Sequence, residues 1–135
     1  MASNQQSKYE VLDKISNGKH WHKATGQGQS KWYVGNDVVH IRYRSSPKAD
    51  GWSYAYNINP NTLTSDFEIW ICGDSDVYYL MPISIIKTIY HSPEAYVDYH
   101  HPEIRVVDIN TQTHFALYGR GGKRIDFSSY FCVKL

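Results

Sequence analysis

The chain has 135 residues, 41% hydrophobic and 20% charged, the size and make-up of one globular domain over residues 1–135, which excludes a second core of ordinary size and a disordered or fibrous chain. A net charge of +1 excludes a uniformly basic surface of the kind that announces a polyanion partner by its overall field. The total conceals a segregation. Residues 1–50 hold 8 Lys and Arg against 4 Asp and Glu, residues 51–100 hold 1 against 6, and residues 101–135 hold 5 against 3. A nucleic-acid-binding face therefore has to be a local patch drawn from the two ends of the chain, with the acidic middle turned elsewhere.

Taken in chain order, residues 1–6 are polar and read as a disordered tail without the apolar stretch of a signal peptide. No run of about 20 apolar residues follows anywhere, so a cytoplasmic protein without membrane contact is expected. Ser7-Lys8-Tyr9-Glu10 has the form of a capping box. Val11, Leu12 and Ile15 then share one side of a helix over residues 8–17, with Gly18 as its left-handed stop. Residues 18–30 carry Gly26-Gln27-Gly28 and the pair His20 and His22 without apolar period, and are expected as a loop.

From Lys31 the period becomes two. Residues 31–34 and 38–44 flank the turn Gly35-Asn36-Asp37, which predicts a hairpin. Val39, Ile41 and Tyr43 fall on one face of its second strand, and His40, Arg42 and Arg44 on the other. A third strand, with Trp52, Tyr54, Tyr56 and Ile58 on an aromatic face, is expected beside it. Residues 67–72 and 77–81 are apolar at almost every position except Glu68, as in central strands covered on both faces. Pro82 introduces a helical stripe of Ile83, Ile86 and Tyr90, residues 93–99 are expected to add a helical turn, and residues 104–109 and 114–118 form a last hairpin. Gly119 to Arg124 is a basic, glycine-rich turn into a short final strand. The fold class is α+β, a mainly antiparallel or mixed twisted sheet of five to seven strands with two or three helices.

Several constellations carry chemistry. Cys72 and Cys132 make neither a disulfide framework nor a CxxC pair. His20-x-His22 and His100-His101 match no zinc spacing, no glycine-rich stretch completes a nucleotide fingerprint, and no metal or cofactor is assigned. Asp66 and Glu68, two apart on one strand, are candidate ligands for Mg²⁺ in a metal-dependent endonuclease, with His20 and His22 as candidate bases. Three potential cations on one strand face, His40, Arg42 and Arg44, need a compensating anion, and phosphate is the natural one. Trp52, Tyr54 and Tyr56 offer faces for base stacking, while Arg120, Lys123 and Arg124 could clamp a phosphate in the same groove.

The order Val39-His40-Ile41-Arg42-Tyr43-Arg44-Ser45-Ser46, Trp52-Ser53-Tyr54-Ala55-Tyr56-Asn57, Asp66-Phe67-Glu68-Ile69-Trp70-Ile71 and Tyr78-Tyr79-Leu80-Met81-Pro82-Ile83 resembles the restriction-endonuclease-like, or PD-(D/E)XK, superfamily over about a third of the chain. His40 and Arg42 stand where that pattern has an acid or amide and a lysine, and no aspartate lies at the usual distance upstream. The resemblance implies a DNA-binding reader or degenerate nuclease domain of a restriction or defence system, whose partners are DNA and either a second copy of the chain or a larger defence complex. Two other classes stay open on the sequence: a Mg²⁺-dependent DNA endonuclease, and a protein-interaction or inhibitor domain that meets a basic partner through the acidic middle.

Overall fold

The structure, a computed structural model, describes residues 3–25 and 30–135. Among the described residues it is an α+β fold of two α-helices and nine strands in two sheets. In chain order these are α1 (Asn4–Ser16), β1 (Trp21–Lys23), β2 (Lys31–Val34), β3 (Asp37–Arg44), β4 (Ser53–Ile58), β5 (Phe67–Cys72), β6 (Tyr78–Pro82), α2 (Ile83–Tyr90), β7 (Arg105–Asn110), β8 (Phe115–Gly119) and β9 (Lys123–Asp126). The first sheet runs β1-β2-β3-β5-β6 and the second β4-β7-β8-β9. Among the described strands, only β3 and β5 pair in parallel. No helix of the described residues is long and apolar enough to cross a membrane.

Three layers result from the period-two patterns. Val39 and Ile41 of β3, Ile69 and Ile71 of β5 and Tyr78 and Leu80 of β6 bury one face of the first sheet under Val11, Leu12 and Ile15 of α1. Trp70 and Cys72 of β5 and Tyr79 and Met81 of β6 point the other way. They meet Tyr56 and Ile58 of β4, Val107 and Ile109 of β7 and the α2 residues Ile86 and Ile89. The near-continuous apolarity of β5 and β6 thus reflects cover on both faces.

Four local expectations are corrected. Helix α1 starts at Asn4, inside the supposed tail, because Ser3 Oγ accepts from Gln6 N at 3.1 Å and makes Ser3 the cap; Met1 and Ala2 lie outside the described residues. Ser7, expected to cap, is buried within the helix instead. Residues 18–30 are not all loop, since β1 pairs with β2 there, while Gly26-Gln27-Gly28 lies outside the described residues. The segment 93–99 forms no helix; after a turn at Pro93-Glu94 it makes isolated bridges, Ala95 to Gly119 and Val97 to Arg105.

The largest correction concerns β4, which pairs with β7 in the second sheet and leaves its place beside β3 to β5. Tyr56 and Ile58 are buried there in the core between the sheets, Tyr56 stacked face-on against Trp70. The crossover from β3 to β5 therefore goes out to the second sheet and returns through the 3-10 turn Pro60–Thr64, and β4 roofs the second half of β3.

Two outcomes follow from the packing. A Cβ built on Gly119 would stand 2.5 Å from the Glu94 carbonyl oxygen, so Gly119→Ala should destabilise the fold by about 1–3 kcal/mol in urea titration. Burial pushes the Cys72 thiol up to about 12, so Cys72 should resist alkylation at neutral pH in the native protein and react once urea unfolds it.

Candidate phosphate-binding cleft

Strand β2 starts at Lys31, opposite His40, and the Ser30 carbonyl just before it accepts from Ile41 N at 2.9 Å, so among the described residues the second half of β3 has no strand on that edge. A cleft of about 270 Å³ opens along this free edge, between the start of α1 (Asn4 and Lys8), Ser30, and the roof strand β4. Its walls carry Lys8, His40, Arg42 and Arg44 and, among the described residues, no carboxylate. The predicted alternation of β3 puts His40, Arg42 and Arg44 on the face turned towards the second sheet. That face buries His40, which Lys31 still flanks, and leaves Arg42 partly and Arg44 fully in reach of solvent.

Behind the cleft lies one acid. Glu68 pairs with His40 across the parallel β3 and β5 register and is 1% exposed. Its two carboxylate oxygens lie 3.0 and 2.9 Å from His40 Nδ1, and Oε1 also accepts from Trp70 Nε1 at 3.1 Å. Arg42 Nε stands 3.6 Å from Oε1, an ion pair beyond hydrogen-bond reach, and is itself buried without a hydrogen-bond partner. An ionised carboxylate only accepts, so His40 donates from Nδ1, which leaves Nε2 as the second ring nitrogen of a residue that lines the cleft. On the other flank of His40, Lys31 is buried and donates from Nζ to the Asn61 carbonyl at 2.9 Å and to Thr64 Oγ1 at 2.8 Å.

The electrostatics of the cleft are those of crowded cations. Lys8 donates to Ser30 Oγ at 2.9 Å. Its ammonium is held below the usual lysine range by burial first, then by the nearby charges of Arg42 and Lys23. The rim adds the N-terminal end of α1, whose first turn holds no acidic residue and which carries partial positive charge. A strong anion fits this field and a cation does not.

The remaining sequence candidates fall elsewhere. Tyr56 lines the roof but is 2% exposed, stacked on Trp70 at 4.7 Å, with its hydroxyl donating to the Ile71 carbonyl; it has no face to offer a base. Tyr54 packs partly buried against the same aromatic core, and Trp52, though exposed, precedes β4 and does not line the cleft. Arg124 lies over Phe115 at 4.8 Å in a separate groove with Lys48 and Asp108, and Arg120 donates to the Pro93 carbonyl. Lys123 begins β9, the outer strand of the second sheet. The basic turn and the β3 stripe therefore do not share one groove. His20 and His22 stack on each other at 5.4 Å beside the edge strand β1.

Asp66 and Glu68 do not converge either. Asp66 Oδ2 accepts from Val38 N at 2.8 Å and fixes the start of the β3 and β5 pair, whereas Glu68 is engaged by His40 and Trp70. Among the described residues no three His, Cys, Asp or Glu side chains gather as metal ligands. Sequence reasoning missed Lys8 and the partnership of Glu68 with His40. The one signal for the latter was a lone acid in an apolar strand, which has to find donors.

Glu68→Ala strands the His40 and Trp70 donors in a buried site, at about 1–3 kcal/mol for each donor. Chemical denaturation should show that loss, and Glu68→Gln, which keeps an acceptor oxygen, should lose clearly less. No protein-family model, curated protein or solved structure matches this chain.

Proposed function

We propose that this chain is a nucleic-acid-binding module that seats a phosphodiester backbone in the cleft along β3. The observation that carries this is the convergence of Lys8, Arg42 and Arg44 on one cleft whose described walls hold no carboxylate. Phosphate contacts from Lys and Arg supply affinity without sequence information, and the α1 terminus reinforces them. The buried Arg42 Nε, which makes no hydrogen bond to the protein, and the Lys8 ammonium crowded by Arg42 and Lys23 both favour an incoming anion. DNA is the polymer that the resemblance to restriction-endonuclease-like proteins implies, and a reader or degenerate nuclease domain of a defence system is the setting it fits.

Titration of labelled single-stranded and duplex DNA at rising salt tests this. Arg42→Ala and Arg44→Ala should each weaken binding by about 1–3 kcal/mol and flatten the salt slope by about one unit. Arg124→Ala, from the separate groove, should change neither. Equal affinity of the parent and the Arg42→Ala/Arg44→Ala double variant at low salt would sink the proposal.

Binding should also be linked to protons through Lys8. Its folded pKa is lowered in the free protein, and a seated phosphate favours the charged ammonium and raises it again. The complex therefore takes up protons, and affinity falls as pH rises through the depressed lysine value. Calorimetry in alkaline buffers of differing ionisation enthalpy should read net proton uptake for the parent and a smaller uptake for Lys8→Met.

A further inference from the structure

The binding proposal accounts for Lys8, Arg42 and Arg44 but gives no task to the pair behind them. Attraction of phosphate needs neither a histidine whose side chain is 9% exposed nor a carboxylate 1% exposed held against its Nδ1. Such a pair fixes the tautomer and the direction of an imidazole, which is what a proton-transfer group requires. The histidine of the pair lines the same cleft in which three cations would hold a phosphate.

We propose that the cleft is also a catalytic site that cleaves RNA by acid–base transesterification, with His40 Nε2 as general base and Glu68 as its positioning residue. The inference rests on the binding reading, because the same cations must seat the scissile phosphate. The substrate class follows from the groups present. One imidazole and a cationic clamp can remove a proton and stabilise charge on a phosphorane, and the phosphodiester that brings its own nucleophile is RNA, through the adjacent 2′-hydroxyl. An attached nucleophile of this kind gains the large advantage of an intramolecular reaction. DNA enters the same cleft, since backbone contacts do not read the sugar, but it has no hydroxyl at that position.

The step balances within the substrate. His40 Nε2 takes the proton of the 2′-hydroxyl while the 2′-oxygen–phosphorus bond forms. The phosphorus–5′-oxygen bond breaks, and the departing 5′-oxygen takes a proton from cleft water. The resulting hydroxide is neutralised by the proton held on His40, which restores the imidazole. The products are a 2′,3′-cyclic phosphate end and a 5′-hydroxyl end, and nothing is oxidised or reduced. Lys8, Arg42 and Arg44 stabilise the added negative charge on the phosphoryl oxygens.

The test incubates the purified chain with end-labelled RNA and the matching all-deoxy strand in the presence of EDTA, while affinity for both is measured in parallel. RNA should be cut to 2′,3′-cyclic phosphate ends, and the deoxy strand should bind, stay intact and inhibit. His40→Ala should lose at least about 100-fold in kcat with affinity for the deoxy strand held within about threefold, and added imidazole should restore part of the rate. Glu68→Gln, checked for native circular dichroism, should lower kcat by about 10-fold or more with KM within about twofold. Arg124→Ala should cut like the parent. Binding of both strands with no cyclic-phosphate product, cleavage only when Mg²⁺ is supplied, or full activity in His40→Ala each overturns the catalytic proposal and leaves the binding reading standing. Failure to bind either strand at low salt overturns the binding reading itself.

Discussion

A carboxylate with almost no access to water governs the arrangement of this molecule. Glu68 lies between the two sheets, on a strand whose other residues are apolar, and a buried acid without donors costs several kcal/mol. Its donors come from its own strand, through Trp70, and from the parallel neighbour β3, through His40. That requirement bears on the chain at two levels. It favours β3 beside β5 in the register that puts His40 opposite Glu68, and it turns the whole His40, Arg42 and Arg44 set towards the second sheet. Without the acid, three cationic groups would face an apolar layer with nothing to offset them.

The second sheet then decides how much of that set stays reachable. The stacked Tyr56 and Trp70 rings, joined by Phe127 at 5.9 Å from Trp70, draw β4 over β5 and the second half of β3. The cover is complete above Glu68 and incomplete above Arg42 and Arg44, where among the described residues β2 no longer flanks β3. The cleft is therefore a by-product of unequal strand lengths, and its polarity a by-product of the Glu68 requirement.

This division explains what the sequence disclosed. Alternation in residues 38–44 and unbroken apolarity in 67–72 and 77–81 fixed which side chains share a face, since the period of a strand is local. Neither showed which strand lies beside which. β4 reads as the neighbour of β3 because it follows it, yet aromatic stacking sends it to the other sheet, and the β3 and β5 contact forms across a gap of more than twenty residues. The charge count misled for the same reason. It separated a basic first third from an acidic middle, whereas Glu68 of the acidic middle sits directly behind the basic cleft. Arg124 was grouped with Arg42 by charge alone, although β9 and β3 belong to different sheets.

A free strand edge also has to be protected from pairing with other chains, and charged side chains along it serve that purpose. Arg42 and Arg44 satisfy it without help. Protection of an edge does not call for burying the next group of the stripe, His40, nor for placing a carboxylate behind it. Apolar residues at both 40 and 68 would leave the edge guarded by Arg42 and Arg44 and spare the desolvation of two polar groups, a replacement that is often neutral or stabilising in protein interiors. The chain keeps the costlier arrangement, in which a buried imidazole that lines the cleft is oriented from behind. Orientation of that kind has a use only if something in the cleft exchanges a proton or a hydrogen bond with Nε2, and this distinguishes a site from a guarded edge.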